Sequence, residues 1–329
     1  MEKKRKENLG ICIRAAAFTA IFVILLILAG HFVMPKNNRD FGGYAKGGFY
    51  GYPDNVIDVL AVGDSNAAEG IAAPMMWKEH GYAAYVAGEP FQTVSGVYET
   101  VREITKKQTP AVLVLEVDSI FQASGLKGME DMVKKEAEYY FPVFEYHNRF
   151  KKMKWSDLTT KKTYAWAAPY NGYSPSNTVK PFQGEKKVDE KTIAKPIPKS
   201  QELALERLRG LCREKGMQLV FLSAYSPKSW SYDKHKGIAE YARKNEIPFL
   251  DCNLESEKYG FSPEEDVRDG GTHMNTRGAI KTAKVLGEFL KENCQNALAD
   301  KREEPSYEIW QKNYERFKRD VLIPYKIKE

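Results

Sequence analysis

The sequence predicts a three-layer α/β/α domain on a five-stranded parallel sheet, carried behind one apolar N-terminal segment. Three observations lead there. Apolar runs of strand length recur at 57–62, 83–87, 111–117, 218–223 and 247–251. Segments of helical periodicity alternate with them: Val94, Val97, Val101 and Ile104 within 93–107, Leu203, Leu205, Leu208 and Leu211 within 201–215, a helix over 236–245, and Ala279, Ala283, Leu286 and Leu290 within 276–293. The run 111–117 is almost continuously apolar, as expected of a central strand buried on both faces. Such alternation implies right-handed crossovers and helices on both sides of the sheet.

The N-terminus has its own logic. Lys3, Lys4, Arg5 and Lys6 precede an apolar run from Ile11 to Met34 that is interrupted only by Arg14 and His31. The run is long enough to span a bilayer with Arg14 reaching back to the inner interface, and the basic cluster places the N-terminus in the cytoplasm. Ala29-Gly30 leads into His31-Phe32-Val33 rather than a small-x-small cleavage site, so a retained signal anchor is expected in preference to a cleaved signal peptide. The expected location is the cell membrane, single-pass, with the domain extracytoplasmic.

Four parts follow: a basic tip and anchor over 1–34, a polar linker over 35–54, the α/β domain over 55–295, and a helical tail over 296–329. In the linker, Tyr44, Phe49, Tyr50 and Tyr52 are expected to pack on the domain's entrance or to lie near the lipid surface. Residues 119–199 separate the third and fourth strands, far more than an ordinary crossover needs. This insertion is expected to form a helical cap and a loop over the carboxyl edge of the sheet. Its Tyr139-Tyr140, Tyr146-His147-Asn148-Arg149-Phe150 and Tyr170-Asn171-Gly172-Tyr173 pieces offer aromatic surface with basic neighbours, suited to seating a glycan or to packing the cap. In the tail, Trp310, Tyr314, Phe317 and Leu322 mark one helix docked on the domain.

Charge narrows the function. The whole chain is +6, and its first 14 residues carry five positive and two negative side chains, leaving +3 for everything else. That balance argues against a nucleic-acid partner. Cys12 lies in the apolar segment, and Cys212, Cys252 and Cys294 have neither zinc spacing nor a disulfide framework.

Ligands of a parallel sheet bind at the carboxyl ends of its strands, here Ser65, Gly88, Asp118, residues 223–225 and Asp251. Ser65 stands where the first strand breaks at Gly63-Asp64 and hands over to an alanine-rich helix, a position for a nucleophile or for an ordinary cap and turn. Of the five histidines, His273 alone sits in a glycine-rich loop beside carboxylates, Asp266-Val267-Arg268-Asp269-Gly270-Gly271-Thr272-His273; His31, His80, His147 and His235 lie in the apolar segment, at helix ends or in the insertion. Asp64, Asp269 and His273 make a thin metal set without a paired-His helix or a cysteine cluster, and no metal or cofactor is expected.

Gly-Asp-Ser early in an α/β chain with Asp and His shortly before the last domain helix resembles the SGNH (GDSL) hydrolase superfamily. It is similar in particular to membrane-anchored SGNH-like proteins of bacterial envelopes, relatives of the teichoic acid D-alanyl transfer proteins. The resemblance spans most of 50–295 and implies a flavodoxin-like sheet, a nucleophile at Ser65, a base at His273 and an orienting carboxylate. The superfamily places that carboxylate three residues before the histidine, where this chain has Gly270; Asp269, one residue further back, becomes the partner, with Asp266 as the alternate. Oxyanion donors implied are the Ser65 N–H and Gly88. Glu116-Val117-Asp118-Ser119 replaces the superfamily's Gly-x-Asn-Asp, leaving Gln92 or Asn171 to substitute. The implied activity is that of a serine esterase or O-acyltransferase on acyl esters of envelope polysaccharide or teichoic acid, and a membrane O-acyltransferase is a partner consistent with it. The alternative is a non-catalytic envelope glycan-binding or assembly protein on the same fold.

Overall fold

The computed structural model describes the chain apart from residues 1, 186, 187, 295, 296, 328 and 329. The boundary expected at 295–296 and the chain ends at 1 and 329 thus fall outside the described residues. Helix α1 (Glu2–Val33) is followed by the short α2 (Tyr44–Gly47), β1 (Val59–Gly63), α3 (Ser65–Gly70), α4 (Ala73–His80), β2 (Ala84–Gly88), α5 (Val94–Ile104) and β3 (Val112–Glu116). The insertion carries α6 (Gly125–Tyr140) and α7 (Val143–Tyr146). Then come α8 (Lys199–Lys215), β4 (Gln218–Ser223), α9 (Tyr232–Lys244), β5 (Phe249–Asp251), α10 (Thr276–Asn293) and α11 (Glu308–Phe317).

The five strands form one parallel sheet in the order β2-β1-β3-β4-β5. That is the doubly wound order in which the chain reverses direction between β1 and β3. Helices α5 and α8 pack together on one face, joined by α6, while α4 and α10 pack on the other beside α11. Every residue of β1 and β3 is buried, which explains why these strands are continuous apolar runs rather than alternating ones. Thr93 caps α5 by accepting from the Gly96 N–H, and Asn275 caps α10 by accepting from Arg277 and Gly278, so both helices start where side-chain acceptors replace missing carbonyls.

Helix α1 stands apart. From Lys6 to Val33 it is long and apolar enough to cross a membrane, and Phe18, Ile21, Leu25 and Leu28 are exposed along it. Its C-terminal end is fastened to the insertion by Arg149, which donates to the Val33 carbonyl, and Lys36 Nζ caps the last turn locally by donating to the His31 carbonyl at 2.8 Å.

Residues 35–54 do not run as a free linker. Phe41, Phe49 and Tyr52 are buried, and the Asn38 side chain donates to the carbonyls of Gly47 and Trp166. The physical reason is aromatic area, since three large rings gain more by entering the core than by staying in water. The insertion divides in two. Its helices α6 and α7 lie against α5, α8 and the end of α1. Its later loop runs beside the histidine loop, where the N–H groups of Ser174 and Lys180 donate to the carbonyls of Ala68 and Val267.

The tail is part of the core. Trp310 is fully buried, donates its indole N–H to the Val56 carbonyl at 3.1 Å and packs on the Tyr52 ring at 5.0 Å between centroids. Trp310→Ala is expected to destabilise the protein by about 3–5 kcal/mol through the cavity and the unpaired carbonyl it leaves. Leu203→Ala, on the half-exposed face of α8, should stay within about 0.5 kcal/mol. Urea unfolding of the full chain in detergent compares the two.

Candidate active site

Two glycines make the position of Ser65 available. Gly63 closes β1 at φ +148°, and a Cβ there would fall 2.7 Å from the Glu116 Cβ. Gly88 lies opposite it in β2, where a Cβ would meet the Ala68 nitrogen at 2.6 Å and the Asp64 carbonyl at 2.7 Å. Without side chains at either point, α3 can begin immediately against the sheet edge. Asp64 caps it by accepting from the Asn66 N–H at 2.9 Å. Ser65 is then the first residue of the helix, with its hydroxyl over the carboxyl end of β1, and first-turn N–H groups have no intrahelical acceptor.

His273 reaches Ser65 from 208 residues away: its Nε2 is 2.8 Å from the Ser65 Oγ. Its Nδ1 is 2.5 Å from Asp269 Oδ2. The other oxygen, Asp269 Oδ1, accepts the N–H groups of Thr272 at 3.0 Å and His273 at 2.9 Å. Gly270 and Gly271, at φ +82° and +103°, turn the loop tightly enough for a carboxylate four residues back to meet the imidazole. Burial pushes the Asp269 carboxyl up, but the His273 N–H and imidazole and the Thr272 N–H outweigh it and hold the group below its usual range. Asp269 is therefore an anion facing Nδ1, which fixes the tautomer that leaves Nε2 free to accept from the serine. Asp266, the alternate partner, points elsewhere: it is buried, accepts from Lys281 Nζ at 2.6 Å and from the Ser262 N–H at 2.7 Å.

A cavity of about 450 Å³ opens over Ser65 and His273, with Asn66, Asp118, Gln122 and Lys234 in its wall. Gln92 and Asn171 are not there. Gln92 faces a neighbouring cavity, donating Nε2 to Thr100 Oγ1 at 3.0 Å. Asn171 is fully buried, and its Oδ1 accepts from Asn313 Nδ2 at 2.7 Å and lies 3.3 Å from the Tyr52 hydroxyl, tying the insertion to the tail. Neither lines the serine cavity, because the Gln92 carboxamide is bonded to Thr100 and the Asn171 carboxamide to Asn313. Phe91 and Asn171 both have positive φ. Gly88 lies beside the turn, and its backbone touches α3.

Among the polar groups of the serine cavity, Asn66 and Lys234 share one acceptor. Asn66 Nδ2 donates to Asp118 Oδ2 at 3.1 Å, and Lys234 Nζ donates to Asp118 Oδ1 at 3.0 Å. Asp118, where an asparagine was sought, thus organises two donors instead of being one. The serine-adjacent position of Asn66 was the signal available for it in the sequence; Lys234 lies in the first turn of α9 with no such marker.

Beneath the turn lies a buried acid pair. Glu116 and Asp64 are 1% and 2% exposed. Burial raises the Glu116 carboxyl well above its usual range, and the charges of Asp64 and Asp118 add to it. Burial, then Asp118, likewise raises Asp64, against hydrogen bonds from Asn66, Gln122 and Glu116. Burial and the facing carboxylates thus favour the protonated form of Glu116. A raised folded pKa means stability that is complete below the unfolded value, about 4.3 for Glu, and lost as pH climbs above it. Glu116→Gln, which cannot ionise, is expected to lose less stability than wild type over the window above about pH 4.3. Urea midpoints across that window check this.

No protein-family model matches the chain, and no curated relative matches it. Solved structures similar to it include a GDSL-like lipase of Bacteroides thetaiotaomicron, at 12% identity over 73% of this chain and 88% of that one, with a TM-score of 0.35. The psychrotrophic esterase EstA of a Pseudoalteromonas species is another, at 10% identity over 72% and 96%, TM-score 0.37. TesA is a third, at 13% over 73% and 99%, TM-score 0.36. The α/β/α architecture itself stands on the sheet order and the crossovers described above.

Proposed function

We propose that the chain is a membrane-anchored serine esterase or O-acyltransferase of the SGNH type, working outside the cytoplasm on acyl esters of envelope polysaccharide or teichoic acid. The single observation that carries the reading is the continuous hydrogen-bonded series Ser65 Oγ, His273 Nε2, His273 Nδ1, Asp269 Oδ2. These are the parts of a nucleophile, a general base and an orienting acid, the first from the turn after β1 and the other two from one loop.

In this reading Ser65 Oγ attacks the ester carbonyl carbon while its proton passes to His273 Nε2. Asp269 accepts from Nδ1–H and stabilises the imidazolium. The negative oxygen of the tetrahedral species lies toward the Ser65 N–H, with Asn66 and Lys234 the side-chain donors of the same cavity. The alcohol leaves with the proton from Nε2, and an acyl-enzyme remains. Water completes hydrolysis, or a sugar hydroxyl completes transfer, by the reverse use of His273. The anchor is read from the unpartnered apolar α1, and its orientation from the basic residues before it.

One observation favours the non-catalytic glycan-binding reading: Asp118 occupies the place of an oxyanion donor, and loss of such a donor costs about 3 kcal/mol of transition-state stabilisation. Fluorophosphonate labelling of the full chain in detergent, mapped by mass spectrometry, decides between them. Labelling at Ser65 that is lost in Ser65→Ala and His273→Ala supports the enzyme, and unlabelled folded wild type rejects it. Asp269→Asn is expected to slow hydrolysis of p-nitrophenyl acetate by about 10²–10⁴-fold, the effect of leaving the imidazole in the wrong tautomer.

A further inference from the structure

A second cavity, about 430 Å³, lies beside the serine cavity, and the two share Pro90 and Phe91 as a common wall. It sits between α5, α6 and the folded 35–54 segment, and it reaches Met34 just beyond the end of α1. The wall is anchored next to the nucleophile turn, since the Glu89 N–H donates to the Gly63 carbonyl at 3.2 Å.

Two features, one on the shared wall and one beside it, are unexplained by folding. Phe91 is 83% exposed and adopts φ +57°, a conformation that costs a bulky non-glycine residue energy and gains it no burial. Gln92, only 7% exposed, lines the cavity with one end of its carboxamide bonded to Thr100 and the other, Oε1, without a partner. Whichever way round the amide stands, one hydrogen-bonding end is unspent, and an unmade bond on a buried amide is costly.

The rest of the lining says what would use it. Six carboxylates and three lysines face the cavity, and each lysine stands against an acid: Lys46 with Glu89 and Glu145, Lys106 with Glu103, Lys135 with Glu138. Paired charges present alternating donors and acceptors, which suits hydroxyl groups that do both; a bare ammonium would meet a lysine at each pair. Tyr139 and Tyr146 add ring surface, and aromatic faces combined with planar polar side chains are what a sugar ring packs against. The volume lies within the range of small-ligand pockets, about 300–1,000 Å³.

We infer that this cavity is a saccharide subsite, with Phe91 as the platform over which the glycan passes toward Ser65 and Gln92 as a hydrogen-bonding partner of a sugar hydroxyl. The inference rests on the proposed function for its acyl-ester context and names where the carrier of that ester is held.

The test uses the full chain carrying Ser65→Ala, in a detergent without a sugar headgroup. Maltotetraose, cellotetraose and tetra-N-acetylchitotetraose are titrated by saturation-transfer NMR, with hexanediamine as the cationic comparison. At least one oligosaccharide is expected to bind, and Phe91→Ala and Gln92→Leu, each added to that background, are expected to weaken it by about tenfold, or 1.4 kcal/mol. Phe91→Ala removes only exposed surface, so its melting temperature should match its parent and its binding loss reports the site. Binding by none of the three sugars, binding indifferent to both substitutions, or binding of hexanediamine alone overturns the inference. Fluorophosphonate labelling of wild type reads the proposed function separately: labelled Ser65 with no saccharide binding rejects the subsite alone, whereas saccharide binding lost in the two variants without labelling upholds the subsite and rejects the enzyme.

Discussion

The structure depends on the absence of two side chains. Gly63 and Gly88 end adjacent strands at the same register, and each is packed so closely against the backbone or Cβ of its neighbours that a methyl group would have to displace them. That closeness is what allows the chain to leave β1 and enter α3 within a residue of the sheet. It sets Ser65 above the carboxyl edge, and it brings the Asp64 carboxyl down beside Glu116. The buried acid pair is a consequence of the same geometry, and burial raises both carboxyls above their usual range. The turn is held by sterics, and that closeness fixes where the Ser65 hydroxyl stands above the sheet edge.

The histidine loop solves the complementary problem of reach. Its strap is an antiparallel bridge between Val267 and Met274, closed by the Arg268 N–H donating to the His273 carbonyl. The two glycines inside the strap let Asp269 fold over and spend both oxygens on the same short segment. A second histidine–carboxylate pair, His235 with Asp251 at 2.7 Å, shows the contrast. There the Trp230 indole N–H donates to the same Oδ2, and the pair joins α9 to β5 away from the serine cavity. Equal residue types make a site only where the loop leaves a ring nitrogen facing a nucleophile.

Much of this was legible in the residues. The five strands and the helices between them announced themselves because parallel strands buried on both faces must be continuous apolar runs, and 218–223 and 276–293 coincide with β4 and α10. Gly63-Asp64-Ser65 and Asp269 to His273 were legible because tight turns force glycine and a cap. What escaped depends on distant packing. Gln92 follows β2 closely and Asn171 lies in the insertion, and nothing local says which partner will take either carboxamide. Asn171 is claimed by Asn313, a partner 142 residues later in the chain. In the segment 35–54 the rings of Phe49 and Tyr52 were legible as groups to pack on the domain, whereas Phe41 and the depth of burial depend on the partners that close over them.

Those same misplaced residues account for the shape of the molecule around the serine. Because 35–54 folds inward instead of spanning a gap, its rings and Lys46 form one side of the second cavity, and α6 with α7 forms another. The end of α1 is held to this assembly by Arg149, so the apolar helix, the insertion and the nucleophile turn are linked through short contacts rather than through a flexible tether. A tethered domain samples many orientations, whereas a helix whose last turn is bonded to the domain fixes one. With α1 in a bilayer, the cavity at its end would lie near the lipid surface and the serine one wall further in.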